Sequence, residues 1–259
     1  MPNKQVATKK TNGKLAVMSE DMFASDAGAG LAGMGQEDLA IPFLKILQKT
    51  SSEVDEIKGA KVGDIFNSVT KDIVQGKKGL RVVNCVYFLE YLEWEPRGTG
   101  DNYPYHIFSS TDKLPPTKRG DDNKDYIVDG DGRYLERTAQ HYVLVLDDDG
   151  ITQQGLMPMK ATQFKKSKQW NSAMRALKMR DDKGKLFVPP RFSHIWNLST
   201  AKEENLQGSW YGWVIAKEGK IKDSNLYEEA KTFAELISAG AVRVQHIRED
   251  NSRDDDVPF

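Results

Sequence analysis

Residues 80–94 read LRVVNCVYFLEYLEW. Val82, Val83, Val86, Tyr87, Phe88, Tyr91 and Trp94 are β-branched or aromatic, the side chains that fit a pleated, half-buried surface. The preceding QGKKG (75–79) supplies two glycines for a turn. The run is far longer than a typical strand of about 5–6 residues. Its length therefore predicts a curved or bulged strand, the device by which a small sheet bends into a barrel.

Moving outward, DIFNSVT (64–70) has the same character upstream. Downstream, QHYVLVL (140–146) and ITQQGLMPM (151–159) flank DDDG (147–150), which reads as a hairpin. RFSHIWNLST (191–200) and GSWYGWVIAKE (208–218) form another candidate pair. Between hairpin and pair, KATQFKKSKQWNSAMRALKMR (160–180) has few β-branched residues and sets Phe164, Trp170, Ala173, Met174 and Leu177 at largely helical spacing. SNLYEEAKTFAELISAG (224–240) is a second predicted helix. It has Asn225 and Glu228 at capping-box spacing, a core stripe of Leu226, Ala230, Phe233, Ala234 and Ile237, and Gly240 as its stop.

These elements predict a mainly β fold with added helices and an OB-fold-like β-barrel core, with a β-sandwich as the alternative. There is neither internal repeat nor regular strand–helix alternation, which argues against Rossmann and TIM architectures. Residues 1–37, rich in Lys, Ala and Gly and including ASDAGAGLAGMGQ (24–36), read as a flexible N-terminal arm. The OB-like domain is expected over 38–244. Its first segment, EDLAIPFLKILQ (37–48), is left open between helix and extended chain by Pro42. Residues 245–259 read as a disordered acidic tail.

The 259 residues are 39% hydrophobic and 29% charged, a globular composition long enough for a sizeable core. The formal net charge of -1 hides an asymmetry: Glu249, Asp250, Asp254, Asp255 and Asp256 against Arg253 make the end acidic and leave the body mildly basic. Cys85 is the single cysteine, so no internal disulfide forms, and the expectation is a reducing compartment. No apolar run approaches a membrane span, and the N-terminus lacks a signal-peptide core. The expected location is cytoplasmic, without membrane partner.

Phosphate-loop, dinucleotide, serine-hydrolase and zincin motifs are missing. His106, His141, His194 and His246 lack zinc spacing and have no Ser, Cys or Asp in a suggestive pattern nearby. GDDNKD (120–125), DGDG (129–132) and Asp147, Asp148 and Asp149 read as turns rather than metal carboxylates. A metal-dependent nuclease working through Asp149 is the enzymatic alternative. The expectation is no enzyme and no cofactor.

Binding unpaired nucleic acid without reading its sequence requires cations along the phosphate path and flat rings for bases. The chain interleaves both. Arg81, Tyr91, Trp94, Arg97, Tyr103, Tyr105, Lys118 and Arg119 fall in or beside the polar stretch 95–125, which is too rich in Gly and Pro to be core. Tyr103 and Tyr105 flank Pro104, an arrangement that keeps rings exposed. Lys165, Lys166, Lys168, Arg175 and Lys178 lie with Trp170 on the first predicted helix, and no acid occurs from Ile151 through Arg180. Solvated helices ordinarily mix signs, so a one-signed stretch fits phosphate attraction. Tyr211 and Trp213 share one strand face and complete the candidate rings.

The last six residues, Asp254, Asp255, Asp256, Val257, Pro258 and Phe259, read DDDVPF. They resemble the acidic C-terminal tail of bacterial single-stranded DNA-binding proteins, whose usual ending is three Asp, Ile, Pro and Phe; Val257 stands in the Ile position. The resemblance implies that the tail recruits replication and recombination proteins such as a polymerase, helicase, primase or nuclease. Phe259 and its carboxylate would enter an apolar pocket with a basic rim, and burying that ring contributes roughly 1.5–3 kcal/mol. The body lacks the Gln-, Pro- and Gly-rich linker of the bacterial family. IPFLKILQKTS (41–51), VGDIFNSVT (62–70) and TQFKKSKQWNSAM (162–174) make it similar to single-stranded DNA-binding proteins of tailed bacteriophages. That likeness implies a non-catalytic protein coating single-stranded DNA in an infected bacterial cell, with a tail that competes with DNA for the basic groove. A strand-annealing recombination protein and a regulator contacting host RNA polymerase remain alternatives, and oligomeric state stays open.

Overall fold

The computed structural model describes residues 20–31, 33, 40–96, 98–99, 103–206 and 208–240. The chain divides into two compact units, Met1–Leu39 and Ala40–Phe259. In the first, the described residues hold one short helix, α1 (Glu20–Ser25). Turns follow it at residues 26–31 and 33, while residues 1–19, 32 and 34–37 of the expected arm and the whole expected tail lie outside the described residues. No described helix is long and apolar enough to cross a membrane.

In the second unit the elements run β1 (Leu44–Ile46), α2 (Glu53–Glu56), β2 (Ile65–Asn67), β3 (Ile73–Val74), β4 (Leu80–Trp94), β5 (His106–Ser109), β6 (Thr117–Arg119), β7 (Asp125–Ile127), β8 (Tyr134–Leu146) and β9 (Thr152–Lys160). They continue as α3 (Phe164–Ala176), β10 (Met179–Arg180), β11 (Leu186–Phe187), β12 (His194–Asn205), β13 (Gly208–Lys220) and α4 (Ser224–Ser238). The segment at Pro42, left open by sequence, is extended, with Phe43 bridged to Leu156.

The stretch 80–94 is one strand, and its register on β8 shifts between Asn84 and Val86. This bulge bends β4 where the sequence predicted curvature. Along one edge β4 pairs first with β12, at Leu80–Val83, and later with β5, at Glu90–Glu93. On its other edge it runs antiparallel to β8, which in turn divides its far edge between β7 and β9. Two long strands thus each serve three partners, two of them along one edge, and the sheet curls.

The main path is β13-β12-β4-β8-β7-β6, six antiparallel strands forming a curled half-barrel that is not closed. The closed barrel expected from sequence is not formed, because the terminal strands β13 and β6 do not pair with each other. A two-sheet sandwich is not formed either, since among the described residues the other sheets are the three-stranded β1-β2-β3 and the two-stranded β10-β11.

Each face of the curled sheet carries its own core. On one face Val82, Ala139, Val143, Met157, Met159 and Leu198 pack with Phe164, Trp170 and Met174 of α3. On the other, Val83, Cys85, Tyr142, Leu144 and Leu156 lie under Ala230, Phe233, Ala234 and Ile237 of α4. The helix stripes were predicted with two departures. Ala173 is exposed, and Ser167 takes a buried position on α3. The capping box on α4 is not used: Asp223, in an extended conformation, accepts hydrogen bonds from the backbone N–H groups of Asn225 and Leu226, at 2.7 and 3.2 Å.

The outer edge of β13 is met by two side-chain amides. Gln48 donates to the Tyr211 carbonyl and accepts from the Tyr211 N–H, both at 2.9 Å, and Gln163 accepts from the Trp213 N–H at 2.9 Å. The stretch 95–125, expected as a long loop, holds β5 and β6 and ends at the start of β7.

Candidate nucleic-acid interface

Directly paired residues on neighbouring strands share a face. Tyr91 is opposite Arg137 on β8 and Phe108 on β5, and Glu93 is opposite His106. These positions continue the face that carries Ala139 and Leu89, so they extend the α3 side of the sheet beyond the helix. Phe164, the first residue of α3, marks the join. The Arg137 guanidinium lies 4.0 Å over its ring and the Lys168 ammonium 5.3 Å from it. At the far end Arg133 lies 4.4 Å over the Tyr105 ring and pairs with Glu93 at 2.5 Å. His106 and Phe108 touch edge to face at 4.3 Å. The result is a strip of rings (Tyr91, Phe108, His106, Tyr105) interleaved with Lys168, Arg137 and Arg133. Its one carboxylate, Glu93, is buried and neutralised.

Of the residues singled out from sequence, the fold brings Tyr91, Tyr105 and Lys168 into this strip. Tyr105 is 62% exposed. Lys165 and Arg175 are exposed on α3 and Lys178 just beyond it. None of the three pairs with a carboxylate among the described residues. Lys166 instead pairs with Glu203 at 2.7 Å. Tyr103 is half-buried. Trp94 is half-buried on the opposite sheet face, with the Lys160 ammonium 5.6 Å from its ring. Lys118 is exposed on β6, and Arg119 beside it pairs with Asp125 at 2.9 Å. Arg97 and residues 254–259 lie outside the described residues.

Three expectations change. Trp170 and Trp213 are each 2% exposed and belong to the core, so neither offers a face to a base. Trp170 stacks on His141 at 4.8 Å and meets Trp196 edge-on. Helical period turns Trp170 inward although lysines precede it in the sequence, and strand alternation turns Trp213 inward. Arg81 is held by Glu218 through three hydrogen bonds of 2.7–3.1 Å, a forked ion pair that leaves little for phosphate. Tyr211 is half-buried against the core.

Asp147 behaves as a turn residue, its carboxylate accepting from the N–H groups of Asp149 and Ile151. Asp148 pairs with Lys78. Among the described residues no group of three or more His, Cys, Asp or Glu side chains is placed to hold a metal ion.

Sequence spacing missed a buried polar chain. Ser167 Oγ lies 2.8 Å from His141 Nε2, and Asn84 Nδ2 lies 2.9 Å from His141 Nδ1. The order Ser–His–Asn resembles a catalytic triad in outline only. Arginine can only donate, so the Asn84 oxygen faces Arg191 Nη1 at 3.2 Å and the Asn84 amide N–H donates to Nδ1. The ring proton is therefore on Nε2, pointing at Ser167, the reverse of what a general base needs. Both side chains are fully buried. Burial, aided by the Arg191 charge, pushes the His141 pKa down to about 3. Arg191 also donates to Asn171 Oδ1 at 3.0 Å and lies 5.3 Å over Tyr87. The chain ties α3 to the sheet.

No curated protein and no solved structure matches the chain. The model of the Pam3 phage gp34-like protein family does match, over residues 9–243.

Proposed function

The chain belongs to the Pam3 phage gp34-like protein family, and on that premise we propose that it is a non-catalytic, sequence-indifferent single-stranded DNA-binding protein of phage replication and recombination. One observation carries the reading: Tyr91, Phe108, His106 and Tyr105 lie with Lys168, Arg137 and Arg133 along one face of an open, curled sheet. Every base has a π-face, so rings accept any sequence, at about 1–3 kcal/mol per stacked base. The cations answer the phosphates between them. In this reading the half-barrel is an OB-like platform that has not closed, and its open face receives the strand. Residues 254–259 act as the recruiting tail, offering Phe259 and three carboxylates to replication and recombination proteins.

The test is fluorescence anisotropy of end-labelled oligo(dT) against duplex of equal length across a salt series. A label is needed because Trp170, Trp196 and Trp213 are buried and report poorly on a surface ligand. Oligo(dT) binding is expected to exceed duplex binding. Its log K should fall with log salt at a slope of about -2 to -3, for three or four phosphates neutralised. A chain that ignores oligo(dT) at low salt, or prefers duplex, refutes the reading.

A further inference from the structure

We propose that the β10–β11 hairpin is a wedge that enters the junction between duplex and unpaired DNA, a role that rests on the single-strand reading above and adds a second contact to it. The hairpin forms a sheet of its own, with Met179 opposite Phe187 and Arg180 opposite Leu186. Its returning arm, β11 and the residue after it, exposes three consecutive apolar residues: Leu186 at 53%, Phe187 at 40% and Val188 at 48%. Such a run facing water marks a surface that meets a partner.

Charge identifies that partner. Arg175, Lys178, Arg180, Lys183 and Lys185 lie on the hairpin and on the end of α3 that leads into it, and none pairs with a carboxylate among the described residues. Asp181 is occupied by the turn, where its carboxylate accepts from the N–H groups of Lys183 and Lys185 at 2.9 and 2.8 Å, and with exposed Asp182 beside it the segment still holds five cations against two carboxylates. The turn itself, residues 181–185, is polar, so the apolar run lies along one side of the hairpin beside these cations, and such a flank fits a polyanion whose apolar parts are stacked bases. Side chains such as Leu and Phe enter base steps in this way, while Lys and Arg hold the flanking phosphates.

The finger is stiff enough to push. Asp181 and Lys185 close it through a backbone bond of 3.1 Å, and Arg180 Nη1 donates to the Gly184 carbonyl at 2.7 Å. Gly184 takes the positive φ of 78° that the tight turn requires. The base is anchored on both sides. One arm leaves the end of α3, and the other passes through buried Pro189 to Arg191, which is bonded into the Asn84 and Asn171 network.

The experiment uses the full chain and a forked DNA carrying 2-aminopurine at the first paired position, with oligo(dT) in parallel. The wild-type protein should raise 2-aminopurine emission by unstacking that base. The double variant Leu186→Ser/Phe187→Ser, checked for unchanged thermal stability, should lose the rise and bind the fork about tenfold more weakly. Its salt slope and oligo(dT) affinity should stay near wild type. A variant that unstacks the fork as wild type does overturns the wedge and leaves the single-strand reading standing. Wild type that binds neither DNA defeats the single-strand reading. If in that case it binds phosphatidylglycerol vesicles and the double variant does not, the hairpin is a membrane contact and the wedge is overturned with it.

Discussion

Lowering the pH from 8 to 5 should destabilise this protein through one side chain above all, His141. In the fold its ring is fully buried, stacked on Trp170, tilted against Tyr87, and bonded on both nitrogens by Asn84 and Ser167. The nearest charge, Arg191, is positive, so nothing in these contacts favours the imidazolium. Its pKa lies at about 3 in the fold, against 6.5 in the unfolded chain. Between those values the unfolded chain binds the extra proton, so stability is intact above pH 6.5 and falls as pH drops. The slope approaches about 1.4 kcal/mol per pH unit, which by pH 5 amounts to about 2 kcal/mol, a sizeable part of a typical domain's stability. His194 is also lowered, by burial and then by Lys217 and Lys220, and adds in the same direction. Urea unfolding at half-unit steps of pH measures this directly, with His141→Gln as the comparison. The variant starts less stable but should show a much shallower acid slope. Equal slopes in the two proteins would refute the argument that a buried neutral imidazole controls this window.

Three further outcomes are expected. Arg137→Ala should weaken oligo(dT) binding and reduce the salt slope by about 0.7, one phosphate contact, with thermal stability little changed. Tyr105→Ala and Trp170→Ala should separate binding from folding. The first should cost about 1–3 kcal/mol of oligo(dT) affinity at near-normal stability; the second should cost about 3–5 kcal/mol of stability in urea melts, because it empties a core site. Deleting residues 249–259 should tighten DNA binding and abolish capture of replication partners; unchanged affinity at low salt would remove the idea that the tail competes with DNA.

Local chemistry made much of the fold legible. LRVVNCVYFLEYLEW announced a strand too long to be straight, and DDDG between two apolar runs announced the β8–β9 hairpin. What sequence could not supply was register. Arg137 and Phe108 lie on either side of Tyr91 only because β8 and β5 pair with β4 at those residues. No spacing rule links residues 91, 108 and 137. The same holds for Asn84, His141, Ser167 and Arg191, four polar residues drawn from four segments into one buried chain. Trp170 and Trp213 misled because a large ring on a helix or strand suits a core and a base platform equally, and only the packing of α3 and β13 decides. The β10–β11 hairpin escaped notice because strands of two residues carry no periodicity, although Asp181–Gly184 has turn chemistry.

The glutamines at positions 48 and 163 bear on how this protein survives at high concentration. A thirteen-residue border strand left bare is a template for stacking copy upon copy into fibrils. Here two carboxamides imitate a neighbouring backbone at Tyr211 and Trp213, and Lys217, Glu218 and Lys220 charge the remainder of that border. A second molecule seeking to dock there must first evict the glutamines and then bury Lys217 and Lys220, two cations with no carboxylate partner among the described residues. The sheet can therefore stay open to a ligand on its face while remaining closed to copies of itself at its rim.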